Sequence, residues 1–234
     1  MNPDFSIVIP VFNEAALLET SVSELAQRLD ALGWNFEIVL AENGSNDGTR
    51  PLAAGLARRL RRVRAVFGDE PNYGKALKQG ILATRAPLVL CDEIDLCDVD
   101  FHTRAVARLN EDAADLVVGS KVAGGAHDRR PLLRRAGTLA YTTLLRALVG
   151  FRGTDTHGPK AFRRDRLVPV VERCVVDRDV FASELVIRAS RAGLRVVELP
   201  ILVAEKRPPS VHLLRRVPNV VTKLLTLRRA LGRR

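Results

Sequence analysis

Short apolar runs alternate along the chain with longer segments whose apolar residues recur every three or four positions. The first run, Phe5 to Val11, is continuous enough for a strand buried on both faces. Ala15 to Leu32 follows as a helix with Leu18, Val22, Leu25 and Leu29 on one face, and Phe36 to Ala41 reads as a second strand. Asn43 to Thr49, rich in Gly, Asn and Asp, marks a turn. Beyond it come a basic helix over Arg50 to Leu60, a strand over Arg64 to Phe67, a helix over Gly74 to Arg85 and a strand over Leu88 to Cys91. An acidic loop leads through a helix ending near Leu109 to a strand at Leu116 to Gly119. This alternation predicts an α/β domain with a largely parallel sheet.

After Lys121 the pattern loosens. A helix from about Pro131 to Val149, a link from Asp155 to Phe162, a helix from about Phe181 to Ala192 and a strand pair around Arg195 to Val203 are expected. With no repeat and no Pro-, Gly- or Ser-rich linker, residues 1–205 read as one domain and 206–234 as a basic amphipathic extension. That extension holds nine basic residues and no acid. Leu213, Val217, Val220, Leu224, Leu227 and Leu231 recur at helical spacing in it, Leu214, Val221 and Leu225 widen the stripe, and Pro218 kinks or starts the helix. Such a helix reads as an anchor on an anionic membrane surface, or as one docked on its own domain or on a membrane-embedded partner protein.

The 234 residues, 47% hydrophobic and 27% charged, exclude disorder and fibre. The net charge of +10 is unevenly divided: through Asp128 there are 13 basic and 19 acidic residues, and after it 24 and 8. A basic second half implies an anionic partner. Nucleic acid is disfavoured, because Trp34, Tyr73 and Tyr141 are not interleaved with the arginines as stacking platforms. No run approaches the ~18 to 20 apolar residues of a spanning helix, so the expected protein lies on a membrane without crossing it. Three unpaired cysteines, four scattered histidines and no signal-like opening point to the reducing cytoplasm.

Ligands of parallel α/β sheets bind beyond the carboxyl ends of strands, and here those ends are polar. No Gly-x-Gly-x-x-Gly turn follows the first strand, which argues against a dinucleotide-binding enzyme. The loop from Asp92 to Asp100 carries five carboxylates, suited to a hard divalent ion or, for Asp98 and Asp100, to capping the next helix. Asn43 to Thr49 and Asn72 to Lys75 are each readable as a ligand loop or as an ordinary turn.

In combination these stretches are far more specific. Ile7 to Glu14 (IVIPVFNE), Glu42 to Thr49 (ENGSNDGT), Asn72 to Lys75 (NYGK), the acidic loop and Gly119 to Lys121 (GSK) resemble, in order and spacing, family 2 glycosyltransferases of the GT-A fold. Asp155 to Arg164 (DTHGPKAFRR), Phe181 to Leu185 (FASEL) and Glu198 to Pro200 (ELP) resemble the dolichol-phosphate mannosyltransferase branch. The resemblance implies a Rossmann-like, mostly parallel sheet flanked by helices. It also implies inverting transfer of a sugar, mannose by family frequency, from a nucleotide diphosphate sugar to polyprenyl phosphate at the cytoplasmic membrane face.

By that resemblance Pro10, Val11, Asn13 and Glu14 line the nucleotide pocket, Glu42 faces base or ribose, Ser45 and Asp47 shape its wall, and Lys75 approaches the donor phosphates. A divalent cation, Mg2+ or Mn2+, would sit on Glu93 and Asp95, where the family's Asp-x-Asp motif falls with Glu in its first place; Asp92 is the alternative ligand. Asp95, Arg135 and Arg207 would carry catalysis, the arginines orienting the acceptor phosphate with Lys121, where the family often has Arg. Arg207 and Ser210 fit an Arg-x-x-Ser element, and His157 falls near the acceptor or is a plain loop residue. An acceptor phosphate is already ionised and needs little general base. A soluble enzyme with a hydroxyl acceptor would instead need a carboxylate such as Asp155, Asp179 or Glu184. A non-catalytic module holding RNA or anionic lipid is a third reading.

Overall fold

β1 (Phe5–Val11) lies inside the sheet, and the pleat divides its apolar run: Val8 faces one core while Ile7, Ile9 and Val11 face the other. The computed structural model describes residues 2–203 and 217–232. After β1 come α1 (Leu18–Ala31), β2 (Phe36–Asn43), α2 (Thr49–Arg59), β3 (Val63–Gly68), α3 (Tyr73–Leu82), β4 (Leu88–Cys91), α4 (Val99–Asn110) and β5 (Leu116–Ser120). The second part holds β6 (His127–Asp128), α5 (Leu132–Val149), β7 (Lys160–Arg163), α6 (Arg164–Arg173), α7 (Phe181–Arg191), β8 (Val196–Pro200), β9 (Leu202–Val203) and α8 (Val217–Gly232).

The central sheet has the order β3-β2-β1-β4-β7-β5-β8, parallel throughout except for β7, which runs antiparallel to both β4 and β5. Helices α1, α2 and α4 contribute to the core on one face, and α3, α5, α6, α7 and α8 to that on the other. The α/β class and the mostly parallel, helix-flanked sheet expected from the apolar pattern are therefore observed.

Three departures have local causes. α1 starts at Leu18 and not Ala15, because Thr49 Oγ1 and Asp47 Oδ2 accept the amides of Glu14 (2.7 Å) and Ala15 (3.2 Å) and hold this stretch in a turn. The expected link from Asp155 ends in β7 and is followed by α6. β7 has only four residues and Pro169 interrupts the helical pattern of α6, so neither element has a clear sequence signal. The strands around Arg195 to Val203 do not pair with each other: β8 joins β5, and β9 joins β6.

The amphipathic stripe of α8 is turned inward. Leu224, Leu227, Ala230 and Leu231 are buried in the same core as Leu145, Val149 and Leu185. Arg188 and Arg191 of α7 donate to the carbonyls of Ala230 and Leu231 at 3.0 and 3.1 Å. The described part of the 206–234 extension is thus a layer of the domain, and this apolar face is not available to a membrane. Burying each leucine is worth about 1.5–3 kcal/mol, which an intramolecular contact gains at every concentration. Leu213, Leu214 and Ser210 lie outside the described residues.

Candidate active site

The chain leaves β1 outward through β2 and β3 and returns to β4 on the other side of β1, so a crevice forms beyond the carboxyl end of β1. A cavity of about 190 Å3 opens there. Pro10, Val11, Glu14, Glu93 and Asp95, all candidates from the sequence, line it; Phe12, Asn43, Tyr73 and Ile94 complete the wall. Its volume is below the ~300–1,000 Å3 of whole-ligand pockets, which suits one section of an extended donor.

Asn13, Glu42, Ser45 and Asp47 brace the rim instead of lining it. Asn13, at φ 55°, donates its amide to Ser45 Oγ (3.0 Å), and its side chain accepts the Asn46 amide (3.0 Å). Asp47 accepts from Thr49 and Ala15; the Thr49 hydroxyl above all, against a smaller effect of burial, holds its carboxyl below the usual range. Glu42, expected to face base or ribose, is 1% exposed and lies beneath the turn, accepting the Ser45 amide at 2.6 Å beside Arg50 at 3.4 Å. Lys75 is exposed next to Glu70 (3.3 Å), outside the cavity wall.

The acidic loop separates its carboxylates by role. Asp92, a candidate ligand, is buried: Oδ1 accepts the Glu93 amide and Oδ2 the Asp98 amide, both at 2.8 Å. Its Oδ2 is also 2.8 Å from Nε2 of the fully buried His102, out of line for a hydrogen bond. Asp92 therefore organises the loop and does not face the cavity. Asp98 caps α4 through the Phe101 amide (2.9 Å), and Asp100 pairs with Arg104 (2.8 Å). Glu93 and Asp95 remain on the wall. The Tyr73 hydroxyl donates to Glu93 Oε1 at 2.6 Å. Burial raises the Glu93 carboxyl despite that bond, and burial together with the Glu93 charge pushes the Tyr73 hydroxyl well up.

Among the described residues no three Asp, Glu, His or Cys side chains converge as metal ligands. A cation at this wall would draw on the two hard carboxylates and on diphosphate or water oxygens, a donor set that fits Mg2+ or Mn2+.

A second polar cluster lies where β5 ends and β7 begins. Lys121 Nζ is 3.2 Å from Asp155 Oδ2, and Asp155 also accepts the amides of Lys121 and His157. Burial alone would raise the Asp155 carboxyl, but the Lys121 charge and these amides leave it below the ordinary value. Glu198, of the ELP stretch, steadies this loop by accepting the Thr154 amide at 2.6 Å. A Cβ on Gly158 would sit 1.7 Å from the Gly119 carbonyl oxygen, so the two loops meet backbone to backbone.

Lys160 escaped the sequence reading. It lies opposite Cys91 in the β4–β7 register, is 2% exposed, and donates to the Gly158 carbonyl at 2.8 Å. Burial lowers its proton affinity, opposed by Cys91 and Asp155. A buried lysine beside a carboxylate cluster is a functional signal, but one that exists only once β7 is in place.

Arg135 is exposed in the first turns of α5, outside the cavity wall. Arg207 and the side chain of Asp179 lie outside the described residues. Glu184, offered above as a base for a hydroxyl acceptor, is fully buried, accepts the amides of Val175 (2.9 Å) and Val176 (2.7 Å) and pairs with Arg188 (2.7 Å). It is a structural residue.

The chain is 28% identical over 227 residues to glycosyltransferase AglD of Haloferax volcanii, covering 95% of this chain but only 36% of that protein. It is 28% identical over 208 residues to a dolichyl-phosphate hexose transferase of the same organism, covering 87% of this chain and 84% of that one. Its fold is similar to that of glucosyl-3-phosphoglycerate synthase from Mycobacterium tuberculosis, solved in complex with Mn2+, uridine diphosphate and phosphoglyceric acid. The TM-score is 0.67 at 22% identity, over 98% of this chain and 79% of that one. Residues 6–168, with the strand-end motifs and the acidic loop that form the cavity, match the glycosyl transferase family 2 pattern, and the chain is a glycosyltransferase belonging to that family.

Proposed function

We propose that the chain transfers a hexose, with mannose the first to test, from a nucleotide diphosphate sugar to polyprenyl phosphate at the cytoplasmic face of a membrane, with inversion at the anomeric carbon. The observation that carries this reading is its likeness to the dolichyl-phosphate hexose transferase over 84% of that protein's length. Pro10, Val11 and Glu14 form the donor wall, and Glu93 and Asp95 hold a divalent ion, as the Mn2+ in the synthase complex supports. Bound there, such an ion supplies Lewis-acid stabilisation of the departing diphosphate. Lys121, held by Asp155, and Arg135 and Arg207 offer positive charge to the acceptor phosphate.

A second reading, a small phosphorylated acceptor, is favoured by the fold likeness to the synthase solved with phosphoglyceric acid. Labelled GDP-mannose and UDP-glucose, offered with polyprenyl phosphate or with phosphoglyceric acid and with Mn2+, Mg2+ or neither, separate the two. Lipid-extractable label that depends on metal is expected. Label only in the water-soluble product would replace the first reading with the second.

Among the described residues no helix is long and apolar enough to cross a membrane. With the α8 stripe covered, the membrane contact falls to α5, where Leu132, Leu133 and Leu139 are 77%, 62% and 53% exposed. Residues 129–154 contain six arginines and no acid, matching an anionic surface. The inner side of the same helix reaches the second polar cluster: Tyr141 packs edge-on against His157 and its hydroxyl contacts Ser183 Oγ at 2.8 Å. Replacing both Leu132 and Leu133 by Asp is expected to reduce sedimentation with phosphatidylglycerol vesicles at least tenfold, since each leucine inserted is worth about 1.5–3 kcal/mol. Retention within twofold would place the contact elsewhere.

A further inference from the structure

Glu93 differs from Asp95 in having an extra rotatable bond, and a carboxylate on a longer stem must be ordered before it can serve as a ligand. The structure provides one group that does this. Tyr73 Oη is 2.6 Å from Glu93 Oε1, and both side chains line the cavity. The main chain of Glu93 is held in turn by the Asp92 carboxylate at 2.8 Å.

Tyr73 is itself firmly mounted. Its neighbour Asn72, the N-cap of α3, accepts the amides of Lys75 (3.1 Å) and Arg178 (2.9 Å) through Oδ1. Asn72 also donates its main-chain amide to Asn43 Oδ1 (2.6 Å) and its side-chain amide to Asp177 Oδ2 (2.8 Å). On the other side, a Cβ on Gly74 would lie 2.6 Å from both the Arg178 carbonyl oxygen and Phe181 Cβ, so the first turn of α3 is seated against the start of α7. A side chain fixed at this turn reaches across to the acidic loop and holds one oxygen of Glu93.

We propose that Tyr73 is a positioning residue for the cation site: its hydroxyl takes one Glu93 oxygen and so presents the other toward the donor's cation. This rests on the reading of Glu93 and Asp95 as the cation-binding pair. A partner in the outer shell of a metal site typically contributes about 10- to 100-fold in metal affinity. Asp at position 93 has a shorter stem and does not keep the bond to Tyr73, so the two residues are expected to behave as one unit.

The test is a double-mutant cycle on Mn2+ affinity. Free Mn2+ is measured by its electron paramagnetic resonance signal, with UDP and separately with GDP present, for the full chain and for Tyr73→Phe, Glu93→Asp and the double variant. Tyr73→Phe removes only a hydroxyl from a half-buried ring, and Glu93→Asp breaks the same bond from the other side if the first variant folds poorly. Tyr73→Phe is expected to weaken Mn2+ binding roughly 10-fold and to cost less than twofold in the Glu93→Asp background. Unchanged affinity in Tyr73→Phe, or costs that multiply in the double variant, would overturn the positioning role while leaving the cation site standing. No Mn2+ binding by the unmodified chain would overturn the cation site and this role with it.

Discussion

Asp95→Ala is expected to lower sugar transfer by on the order of 100-fold or more while the thermal midpoint stays within a degree or two. Asp95 is exposed at the cavity wall, where truncating a side chain costs little stability. On the proposed assignment it is one of two protein ligands to the ion that stabilises the leaving diphosphate, and losing such stabilisation costs about 2.7–4 kcal/mol of barrier. The loss should appear in kcat and be partly offset by raising Mn2+. Initial rates across a Mn2+ series, alongside a melting curve, measure both. A variant as active as the parent chain would move the ion away from this loop.

Glu184→Ala should have the opposite profile: a large loss of stability without a specific loss of chemistry. The carboxylate is buried, accepts two amides and pairs with Arg188, which also donates to Ala230 of α8. Removing it strands the buried Val176 N–H, the part-buried Val175 N–H and a partly buried guanidinium, at a cost of about 3–5 kcal/mol. For a chain of this size that is a fall in melting temperature of about 10 °C. Differential scanning fluorimetry, with turnover measured well below the transition, separates folding from chemistry. An unchanged midpoint with abolished transfer would instead make Glu184 the acceptor-side base and favour a hydroxyl acceptor.

The site residues differ in how far the sequence marks them. The candidates Pro10, Val11, Glu14, Glu93 and Asp95 stand at or just past the ends of β1 and β4, which a parallel sheet delivers to one edge, and the family resemblance singles them out there. Asp92 is not separable from Glu93 by sequence alone. Adjacent carboxylates on a loop point in different directions, and the Asp98 amide, not the identity of the acid, turns Asp92 inward. Glu42 shows the same competition: the turn needs an acceptor for the Ser45 amide and takes the nearest carboxylate.

The tail shows the same limit on a larger scale. A stripe of Leu224, Leu227 and Leu231 states that one face of α8 must be covered but not by what, and here α7 and α5 cover it. Tyr73 and Lys160 gain their meaning from neighbours distant in sequence. Tyr73 meets a carboxylate 20 residues away, and Lys160 lies in a strand too short to be seen, inserted antiparallel between β4 and β5.

By itself the sequence determined the class of fold, the order of its elements through β5, the family and the strand ends where chemistry gathers, because periodicity and motif spacing are local properties written along the chain. Only the tertiary structure decided which carboxylates face the cavity, which ones serve the loops, and where the apolar face of α8 rests. Those outcomes depend on competition among hydrogen-bond donors and apolar surfaces that meet only after the sheet has assembled.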